Sequence, residues 1–393
     1  MKSLDDVVMR ERVVFLRADF NVPLDENKKV ADDTRIRTTL PTIEKILNSE
    51  AYLLIASHLG RPKGKAKPEF SLRPVCDHLS SLLGREVTFV GDCVGDERQK
   101  ALERAKPGDC FLLENVRFHE GETKNDPEFA RALADGVDVY VNDAFAVSHR
   151  AHASVHGIVK YVKECAAGYQ LQKELEYYHK ALVDPKRPVV FIVGGAKVST
   201  KIGVLENLTD RCDKMLIGGA MANTFLKAMG KSVGASMVED DFLEGARSFL
   251  DKAEKAGLEV ILPVDGRGVE TGGNVVKEIK LEEITPNFEI YDIGSGTVEA
   301  FKRAIADAAT IIWNGPVGMF EKEDFAMGTF EVARIVAGSR GLKVAGGGDT
   351  VSALRKSGTY DRFDYVSTGG GAFLELLEGK TLPGVAALDE CGK

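Results

Sequence analysis

Short apolar, β-branched runs alternate with longer stretches of helical periodicity along the whole chain. In the first half, the predicted strands are Arg12–Phe20, Tyr52–Ser57, Glu86–Val90, Cys110–Glu114 and Val137–Val141. In the second half, they are Val189–Val193, Lys214–Ile217, Glu259–Pro263, Glu289–Ile293, Thr310–Trp313, Lys343–Ala345 and Asp364–Ser367. Such alternation is typical of βαβ units, in which helices connect the strands of a parallel sheet. The pattern therefore predicts an α/β protein.

Polar residues and glycines follow almost every predicted strand. After the first-half strands come Asp19-Phe-Asn21, Ser57–Arg61, Asn115–Arg117 and Asn142–Phe145. After the second-half strands come Gly194-Gly195, Gly218-Gly219, Asp265, Gly294, Asn314–Pro316, Gly346–Asp349 and Gly369–Gly371. Ligands of open α/β sheets bind beyond the carboxyl ends of the strands. Two such edges predict two facing binding sites.

The length of 393 residues exceeds what one hydrophobic core usually supports, so we expect two domains. Leu171–Val183 is an amphipathic segment of helical length that Pro185 and Pro188 stop. We predict a first domain at residues 1–170, a connecting helix within 171–185 and a second domain at 186–370.

Composition and charge exclude some classes of partner. The apolar and charged fractions of 44% and 28% are ordinary for a globular protein, and the net charge is −8. Residues 1–170 carry 25 basic against 27 acidic side chains, and the remainder carries 27 against 33. Neither half has the basic excess of a nucleic-acid-binding protein. No apolar run approaches the ~20 residues that span a bilayer.

The six cysteines, at positions 76, 93, 110, 165, 212 and 391, show neither CxxC pairs nor regular spacing. In a chain of this length, that distribution predicts free thiols in a reducing compartment rather than a disulfide framework. The first residues lead into no sustained apolar segment. We therefore expect a cytoplasmic protein.

The stretch Pro188–Lys201 joins a predicted buried strand to Gly194-Gly195 and then to Lys197 and Lys201. We expect both lysines on one face of a helix, because they are four residues apart. Glycines between a strand and a helix N-terminus form an anion cradle, which predicts a phosphate site. The stretch is not a Walker A loop. By itself it is also compatible with a tight turn that carries two solvated lysines.

Two further glycine-rich helix starts follow in the second half. Leu342–Leu354 contains three consecutive glycines before Asp349 and Thr350, where Asp349 can cap the helix or bind Mg²⁺ beside a nucleotide. Ser367–Gly379 repeats the pattern. The GxGxxG dinucleotide fingerprint is absent. Asn314–Glu321 adds an amide and a carboxylate that can contact a base or ribose, although a polar loop is the alternative interpretation.

The first half concentrates arginine and histidine near strand ends: Arg17, Arg35, Arg37, His58, Arg61, Arg117, Arg150 and His152. Because the guanidinium fork pairs with carboxylate and phosphate, the set predicts a small polyanionic substrate. His149, His152 and His156 share a helical face by spacing and could bind zinc. Contact with an anion, or ordinary packing, is the preferred interpretation of these histidines.

These motifs together resemble the phosphoglycerate kinase family over nearly the whole chain. The first half contributes Arg17–Pro23, Asp33–Arg37, Ser57–Pro62, Leu113–Arg117, Asn142–Phe145 and His149–His152. The second half contributes Gly194–Val198, Trp313–Gly318, Gly346–Thr350, Ser367–Gly371 and Leu382–Val385. Two segments depart from the family pattern, Ala146–Ser148 and Asp292–Gly296. The first replaces Gly-Thr-Ala and the second a Pro-Lys pair.

The resemblance implies a bilobal, hinge-closing kinase with two Rossmann-like parallel-sheet domains and a connecting helix. Residues 371–393 would return to the N-terminal domain. The N-terminal domain would bind 3-phosphoglycerate or 1,3-bisphosphoglycerate through Asp19, Asn21, Arg35, His58, Arg61, Arg117, Arg150 and His152. The C-terminal domain would bind Mg²⁺-ADP or Mg²⁺-ATP through Lys201, Gly219, Asn314, Glu321, Gly347, Gly348, Asp349 and Thr350, with Asp349 on the metal. The protein would be a monomer.

The implied reaction needs no general base, because the accepting carboxylate is already ionised at neutral pH. Catalysis then rests on positioning and on charge neutralisation at the transferred phosphoryl group. We expect this stabilisation from Arg35, Lys197, Mg²⁺ and the backbone N–H groups of Gly370 and Gly371. The alternative hypothesis is a two-lobed sugar-phosphate or nucleotide-binding protein without catalytic activity.

Overall fold

A computed structural model describes residues 1–392 and confirms the α/β class. The chain divides into two compact units. Unit 1 comprises Met1–Leu175 and the C-terminal residues from Thr381, and unit 2 comprises Glu176–Lys380. Within residues 1–392, no helix has both the length and the apolarity needed to cross a membrane.

Unit 1 is built on a six-stranded sheet with the order β3-β4-β2-β1-β5-β6, in which every pairing is parallel. Its strands are β1 Val13–Arg17, β2 Tyr52–Ala56, β3 Thr88–Val90, β4 Cys110–Leu113, β5 Val139–Asn142 and β6 Glu164–Ala167. The four strands β1, β2, β4 and β5 are buried almost throughout. Such apolar runs mark strands that are covered on both faces. The sequence prediction did not include β6.

Seven helices accompany the described part of unit 1 or lead out of it. They are α1 Thr34–Asn48, α2 Arg73–Leu83, α3 Asp96–Glu103, α4 Glu120–Lys124, α5 Pro127–Ala134, α6 Tyr169–Tyr178 and, numbered last along the chain, α14 Pro383–Glu390. A π-helical turn over His179–Val183 continues α6, so helical structure spans the predicted connecting segment. The buried carboxylate of Asp143 accepts the Leu171 N–H at 3.0 Å near the start of α6.

The C-terminal segment corrects the prediction for the cysteines. Helix α14 packs against β6 and brings Cys391 to Cys165, with which it forms a disulfide. The prediction of six free thiols was therefore wrong for this pair, because packing joins residues that are 226 positions apart. Cys76, Cys93, Cys110 and Cys212 are free and buried.

Unit 2 contains a second parallel six-stranded sheet, with the order β15-β14-β13-β7-β8-β9. Its strands are β7 Val189–Val193, β8 Lys214–Ile217, β9 Glu259–Ile261, β13 Thr310–Asn314, β14 Leu342–Gly346 and β15 Tyr365–Ser367. The helices are α7 Ile202–Leu208, α8 Ala220–Ala228, α9 Leu243–Ala256, α10 Ser295–Ile305, α11 Met327–Gly338, α12 Gly348–Lys356 and α13 Gly371–Leu377. Each of these strands matches a predicted one.

A three-stranded antiparallel sheet stands apart from the parallel sheet of unit 2. Its order is β11-β10-β12, formed by Lys277–Lys280, Asp265–Glu270 and Phe288–Ile293. The predicted strand Glu289–Ile293 therefore exists but does not belong to a parallel sheet. The other two strands of this sheet were missed, because β10 contains glycines, β11 is mostly charged, and neither has an apolar run.

The segment after β7 differs from the prediction in one respect. Helix α7 begins at Ile202, so Lys197 lies on the preceding loop and Lys201 is the residue before the helix. The expectation that both lysines share a helical face was wrong. Gly194 packs closely against the Pro316 carbonyl and Gly195 has a φ of 131°, so the chain follows an irregular path before the helix begins.

A substitution at Gly194 tests whether this position requires glycine. A β-carbon at Gly194 would lie 1.9 Å from the Pro316 carbonyl oxygen, whereas a β-carbon at Gly338, at the end of α11, would have no neighbour within 4 Å. We expect G194A to lower the free energy of unfolding of unit 2 by about 1–3 kcal/mol, because the backbone must shift. Urea unfolding monitored by fluorescence of the single tryptophan, Trp313 in β13, measures this effect.

The matched variant G338A should leave the unfolding midpoint unchanged or raise it slightly, because alanine favours a helix over glycine by about 1 kcal/mol. Equal midpoints for G194A and the parent protein would contradict the interpretation of Gly194 as a close-contact position.

Candidate active site

A basic cavity of about 480 Å³ lies in unit 1. It is lined by Arg61, Lys63, Gly64, Arg117, Glu120, Thr123, Lys124 and Arg150. The single carboxylate of this lining, Glu120, is already paired with Lys124 at 2.7 Å. The remaining positive charge is available to a ligand. A cavity with this lining selects small anions that carry several charges.

Arg117 is the most rigidly held cation of this cavity. Asn115 follows β4 and its Oδ1 accepts the Arg117 backbone N–H at 3.0 Å, while the Arg117 guanidinium donates to the Gly60 carbonyl at 2.9 Å. Burial, followed by the charge of Arg17, lowers the pKa of Arg117 to about 10. The group therefore remains charged at neutral pH. Its buried Nε has no protein partner, as expected of a donor that awaits a ligand.

Arg35, Asp19 and Asn21 form a connected group at the start of α1. Arg35 donates to Asp19 Oδ2 at 2.8 Å and to the Asn21 carbonyl at 3.3 Å. Asn21 Oδ1 in turn accepts the Gly60 N–H at 2.9 Å. These bonds connect the loop after β1 to the loop after β2. The structure thus brings together three predicted residues that are separate in sequence.

A buried network lies beneath the basic cavity and includes residues that the sequence analysis did not identify. The Arg17 side chain donates to Ser154 Oγ at 2.7 Å, and the Ser154 hydroxyl donates to Glu122 Oε1 at 2.7 Å. Arg17, Ser154 and Glu122 are completely buried. A buried guanidinium requires hydrogen-bonded compensation. Glu122 supplies a negative charge here, although its position in an acidic stretch of sequence resembles that of a surface residue.

His58 and His152 are both predicted site residues, and both are neutral in this setting. Burial, together with the charges of Arg17 and Arg117, lowers the pKa of His58 well below its usual value. Burial and then the charge of Arg117 lower the pKa of His152 to about 3. Arg17 lies 3.3 Å from His58 Nδ1, so this nitrogen acts as an acceptor and the proton is on Nε2.

The remaining predicted cations of the first half occupy different surroundings. Arg61 and Arg150 line the basic cavity. Arg37 is more than half exposed and pairs with Asp33 at 2.8 Å, away from the lining. His149 and His156 lie in turns and His152 in irregular backbone, so the three histidines do not share a helical face. Among residues 1–392, the group that could hold a metal is Asp92, Cys93 and His119 instead.

A second cavity, of about 520 Å³, lies in unit 2. The predicted residues Gly219, Glu321 and Asp349 line it. Much of the remaining lining is apolar, from Ala220, Ala222, Leu226, Pro263, Leu281, Ile290, Ile293, Pro316, Val317 and Met319. An apolar cavity with a few polar groups at its edge accommodates a flat heterocycle that carries a polar tail. Sequence analysis missed most of this lining because it comes from several separate segments.

Lys201, Asn314 and Thr350 are joined beside the glycine-rich loops. The Lys201 ammonium donates to Asn314 Oδ1, and the Asn314 amide donates to the Gly346 carbonyl at 2.8 Å. Thr350 Oγ1 accepts the Gly315 N–H at 2.7 Å. Burial lowers the pKa of Lys201 to about 8, although Asp349 and Glu378 raise it. An anion bound here would favour the charged form of Lys201.

Glycines stand directly before three helices, although at α8 the N–H groups of Gly219 and Met221 already donate to the Val317 and Gly195 carbonyls at 2.8 and 3.0 Å. Gly219, Gly347 and Gly370 precede α8, α12 and α13, and each has a positive φ, of 70°, 102° and 47° respectively. A side chain at Gly219 would also meet the Gly195 carbonyl at 2.6 Å. Asp349 and Gly348 lie exposed in the first turn of α12. The N-terminus of a helix binds phosphate well, because its N–H groups and its dipole both favour an anion.

Two buried carboxylates of unit 2 act as helix caps. Asp265 accepts the N–H groups of Gly296 and Thr297 at 2.7 and 2.9 Å, at the start of α10. Asp292 accepts the Gly328 N–H at 2.7 Å at the start of α11, and burial raises its pKa to about 7. The departure at Asp292–Gly296 is thus accommodated by hydrogen bonding within the unit.

Comparisons with known proteins agree on one family. The family model described as phosphoglycerate kinase matches residues 4–380. The chain is 52% identical to phosphoglycerate kinase of Syntrophobacter fumaroxidans, over 100% of this chain and 99% of that protein. It is also similar to the solved structure of phosphoglycerate kinase from Coxiella burnetii, with a TM-score of 0.92, 42% identity and coverage of 100% and 99%. The Pyrococcus horikoshii phosphoglycerate kinase structure matches with a TM-score of 0.83, 31% identity and coverage of 99% and 98%.

The histidine environments give a pH prediction. His58 and His152 have lowered pKa values, so both imidazoles should stay neutral from pH 8 down to about pH 5, where an ordinary histidine is protonated. Their stabilising contribution is present above the ordinary pKa and is lost as pH falls through the lowered values. Two-dimensional ¹H–¹⁵N spectra of the imidazole nitrogens, assigned with H58Q and H152Q, measure the protonation directly. Protonation of either ring near pH 6.5 would contradict the assignment.

Proposed function

The chain belongs to the phosphoglycerate kinase family, and from this membership we propose how its two units divide the reaction. The chain is an enzyme that transfers a phosphoryl group reversibly between 1,3-bisphosphoglycerate and ADP, giving 3-phosphoglycerate and ATP in glycolysis. The residue roles that follow are our assignments. The observation that carries them is the concentration of cations around the basic cavity of unit 1.

Unit 1 binds the phosphoglycerate in this proposal. Arg61, Arg117 and Arg150 surround one cavity and supply forks for phosphate and carboxylate oxygens. Asp19, Asn21 and Arg35 form the adjoining group, and neutral His58 and His152 contribute hydrogen bonds without adding charge. The buried Arg17, Ser154 and Glu122 hold this surface in place.

Unit 2 binds the nucleotide in this proposal. The apolar cavity receives the base, with Glu321 at the ribose, and the glycine-rich starts of α8 and α12 receive phosphates through Gly219, Gly347, Gly348 and Thr350. Lys201 and Asn314 are already joined at the same edge and contribute a positive charge and an amide. ADP and ATP are the co-substrates of the family to which the chain belongs.

Asp349 fits Mg²⁺ in this proposal. Its carboxylate is exposed at the edge of the unit 2 cavity, in the first turn of α12, and oxygen donors are those that Mg²⁺ prefers. When bound, the ion supplies charge neutralisation at the nucleotide phosphates. We also propose that the protein is monomeric, as the resemblance implies, and that it is cytoplasmic, which its four free thiols support.

The chemistry then depends on electrostatics. The carboxylate of 3-phosphoglycerate is ionised at neutral pH and attacks without a general base. We assign neutralisation of the transferred phosphoryl group to Arg35, to Lys197 and to the N–H groups of Gly370 and Gly371. Lys197 lies exposed on the loop after β7, where it has freedom to reach a ligand, and Gly370 directly precedes α13.

A coupled assay tests the function. ATP consumption that depends on 3-phosphoglycerate and Mg²⁺ is expected from the purified, folded chain. A binding protein without catalytic activity would take up either ligand but would not consume ATP. Absence of turnover in a sample that binds both ligands would therefore favour the alternative hypothesis.

Substitution of the two charge stabilisers tests the mechanism. R35A and K197A should each lower kcat by on the order of 10²-fold or more, because each removes a charge that stabilises the transition state. R37A is the matched control, since Arg37 lies on the same helix, is exposed and pairs with Asp33. Its kcat should remain close to that of the parent protein. Unchanged kcat in R35A or K197A would refute the role of that residue.

A further inference from the structure

In unit 1, three side chains of different chemistry lie close together, and the proposed reaction uses none of them. Asp92 and Cys93 follow β3, and His119 directly precedes α4. One oxygen of Asp92, the Cys93 sulfur and one ring nitrogen of His119 all lie within 4.8 Å of one another. The separation suits ligands around a single ion, because bonds of about 2.0–2.3 Å place neighbouring ligand atoms less than 5 Å apart.

The ligand atoms are held in place by their surroundings. His119 Nε2 lies 2.7 Å from Asp92 Oδ1, and the His119 ring stacks on Phe129 with centroids 4.8 Å apart. The Cys93 backbone N–H donates to the same Asp92 oxygen at 2.6 Å. These contacts hold the three residues close together, with the Phe129 ring as the contact from outside the group, and a bound ion would replace the hydrogen bond between His119 and Asp92.

A buried guanidinium lies beside the cysteine. The buried guanidinium of Arg98 donates to the Cys93 carbonyl at 3.4 Å and to the Leu133 carbonyl at 2.9 Å, and it also donates to the Asp135 carbonyl. All three partners are neutral carbonyl groups, so these hydrogen bonds do not pair the Arg98 guanidinium with a carboxylate. Burial, followed by the charges of Asp92 and Glu122, nevertheless raises the pKa of the Cys93 thiol, so a bound metal ion has to displace its proton.

We propose that Asp92, Cys93 and His119 form a Zn²⁺-binding site, separate from the Mg²⁺-nucleotide site of unit 2. Zinc accepts sulfur, nitrogen and oxygen ligands together, whereas Mg²⁺ prefers oxygen alone. Three protein ligands leave the fourth tetrahedral position for water, and the partial exposure of Asp92 and His119 gives that position access to solvent.

The site adjoins the basic cavity along the chain. His119 follows Arg117 by two residues and precedes α4, which supplies Glu120, Thr123 and Lys124 to the cavity. A bound ion would tie the loop after β3 to this segment. We therefore expect Zn²⁺ to raise the Tm of unit 1, because a ligand that binds only the folded state stabilises it.

Cobalt provides the direct probe. The purified full-length protein, with its disulfide intact and without chelator, is titrated with Co²⁺ alone. We expect one equivalent to bind with a thiolate-to-cobalt charge-transfer band in the near ultraviolet, and Zn²⁺ to displace it. Calorimetric unfolding in Zn²⁺ measures the accompanying shift in Tm.

Variants separate this site from ordinary surface binding. C93A should abolish the charge-transfer band. H119Q should weaken Co²⁺ binding by about 10- to 100-fold. H78Q is the matched control, because His78 pairs with Asp33 at 3.0 Å with similar exposure but without the Asp92–Cys93–His119 group. C76A removes another buried free thiol. Both controls should retain the band and the affinity.

The results decide between a metal site and an ion pair beside a core thiol. Loss of the band in C93A and weak binding in H119Q, with both controls unaffected, would support the proposal. Absence of a band in the parent protein would overturn it, as would a band that persists in C93A. If C93A does not fold, H119Q keeps the test decisive, because unchanged affinity in that variant would also overturn the site. Kinase activity in Mg²⁺ serves as a separate readout of the proposed function.

Discussion

Parallel strand pairing is the constraint on which both cavities depend. In each unit, every pairing of the six-stranded sheet is parallel, so the carboxyl ends of all strands reach one edge. The loops after β1, β2 and β4 therefore meet through the bonds of Asn21, Arg35 and Arg117 to neighbouring loops. The loops after β7, β8, β13 and β14 meet in the same way around Gly194, Gly219 and Gly315. Neither set of contacts would form if the strands alternated in direction.

In unit 1, closely spaced positive charges influence the pairing and protonation of other buried side chains at that edge. Arg17 and Arg117 are buried, and the completely buried carboxylate of Glu122 is linked to Arg17 through Ser154. Burial, followed by the same charges, lowers the pKa values of His58 and His152, so these side chains remain neutral hydrogen-bonding groups. The edge consequently retains a field that attracts anions, and its two buried histidines carry no charge near neutral pH.

In unit 2, close contacts between the backbones of neighbouring loops, rather than clustered charges, shape the site. A β-carbon at Gly194, Gly218 or Gly315 would come within 2.5 Å of a neighbouring group, so the loops can pack only as glycine. That packing leaves N–H groups at the starts of α8 and α12 free of side-chain obstruction. The apolar cavity beside them comes largely from α8, from β12 and from the segment Pro316–Met319. The arrangement suits a ligand with one apolar end and one anionic end.

The sequence by itself determined all strands except β6, β10 and β11, the α/β class and the residues at the strand ends, because alternating hydrophobicity and glycine placement are local properties. It also indicated the cations at Arg35, Arg61, Arg117 and Arg150 through their positions after strands or at a helix start. Only the tertiary structure decided that Glu122 is buried, that Lys197 lies on a loop, and that β12 pairs with β10 in an antiparallel sheet. The same holds for the Cys165–Cys391 disulfide and for the meeting of Asp92, Cys93 and His119. Each of these features arises from contacts between residues far apart in the chain, and local patterning carries no information about such contacts.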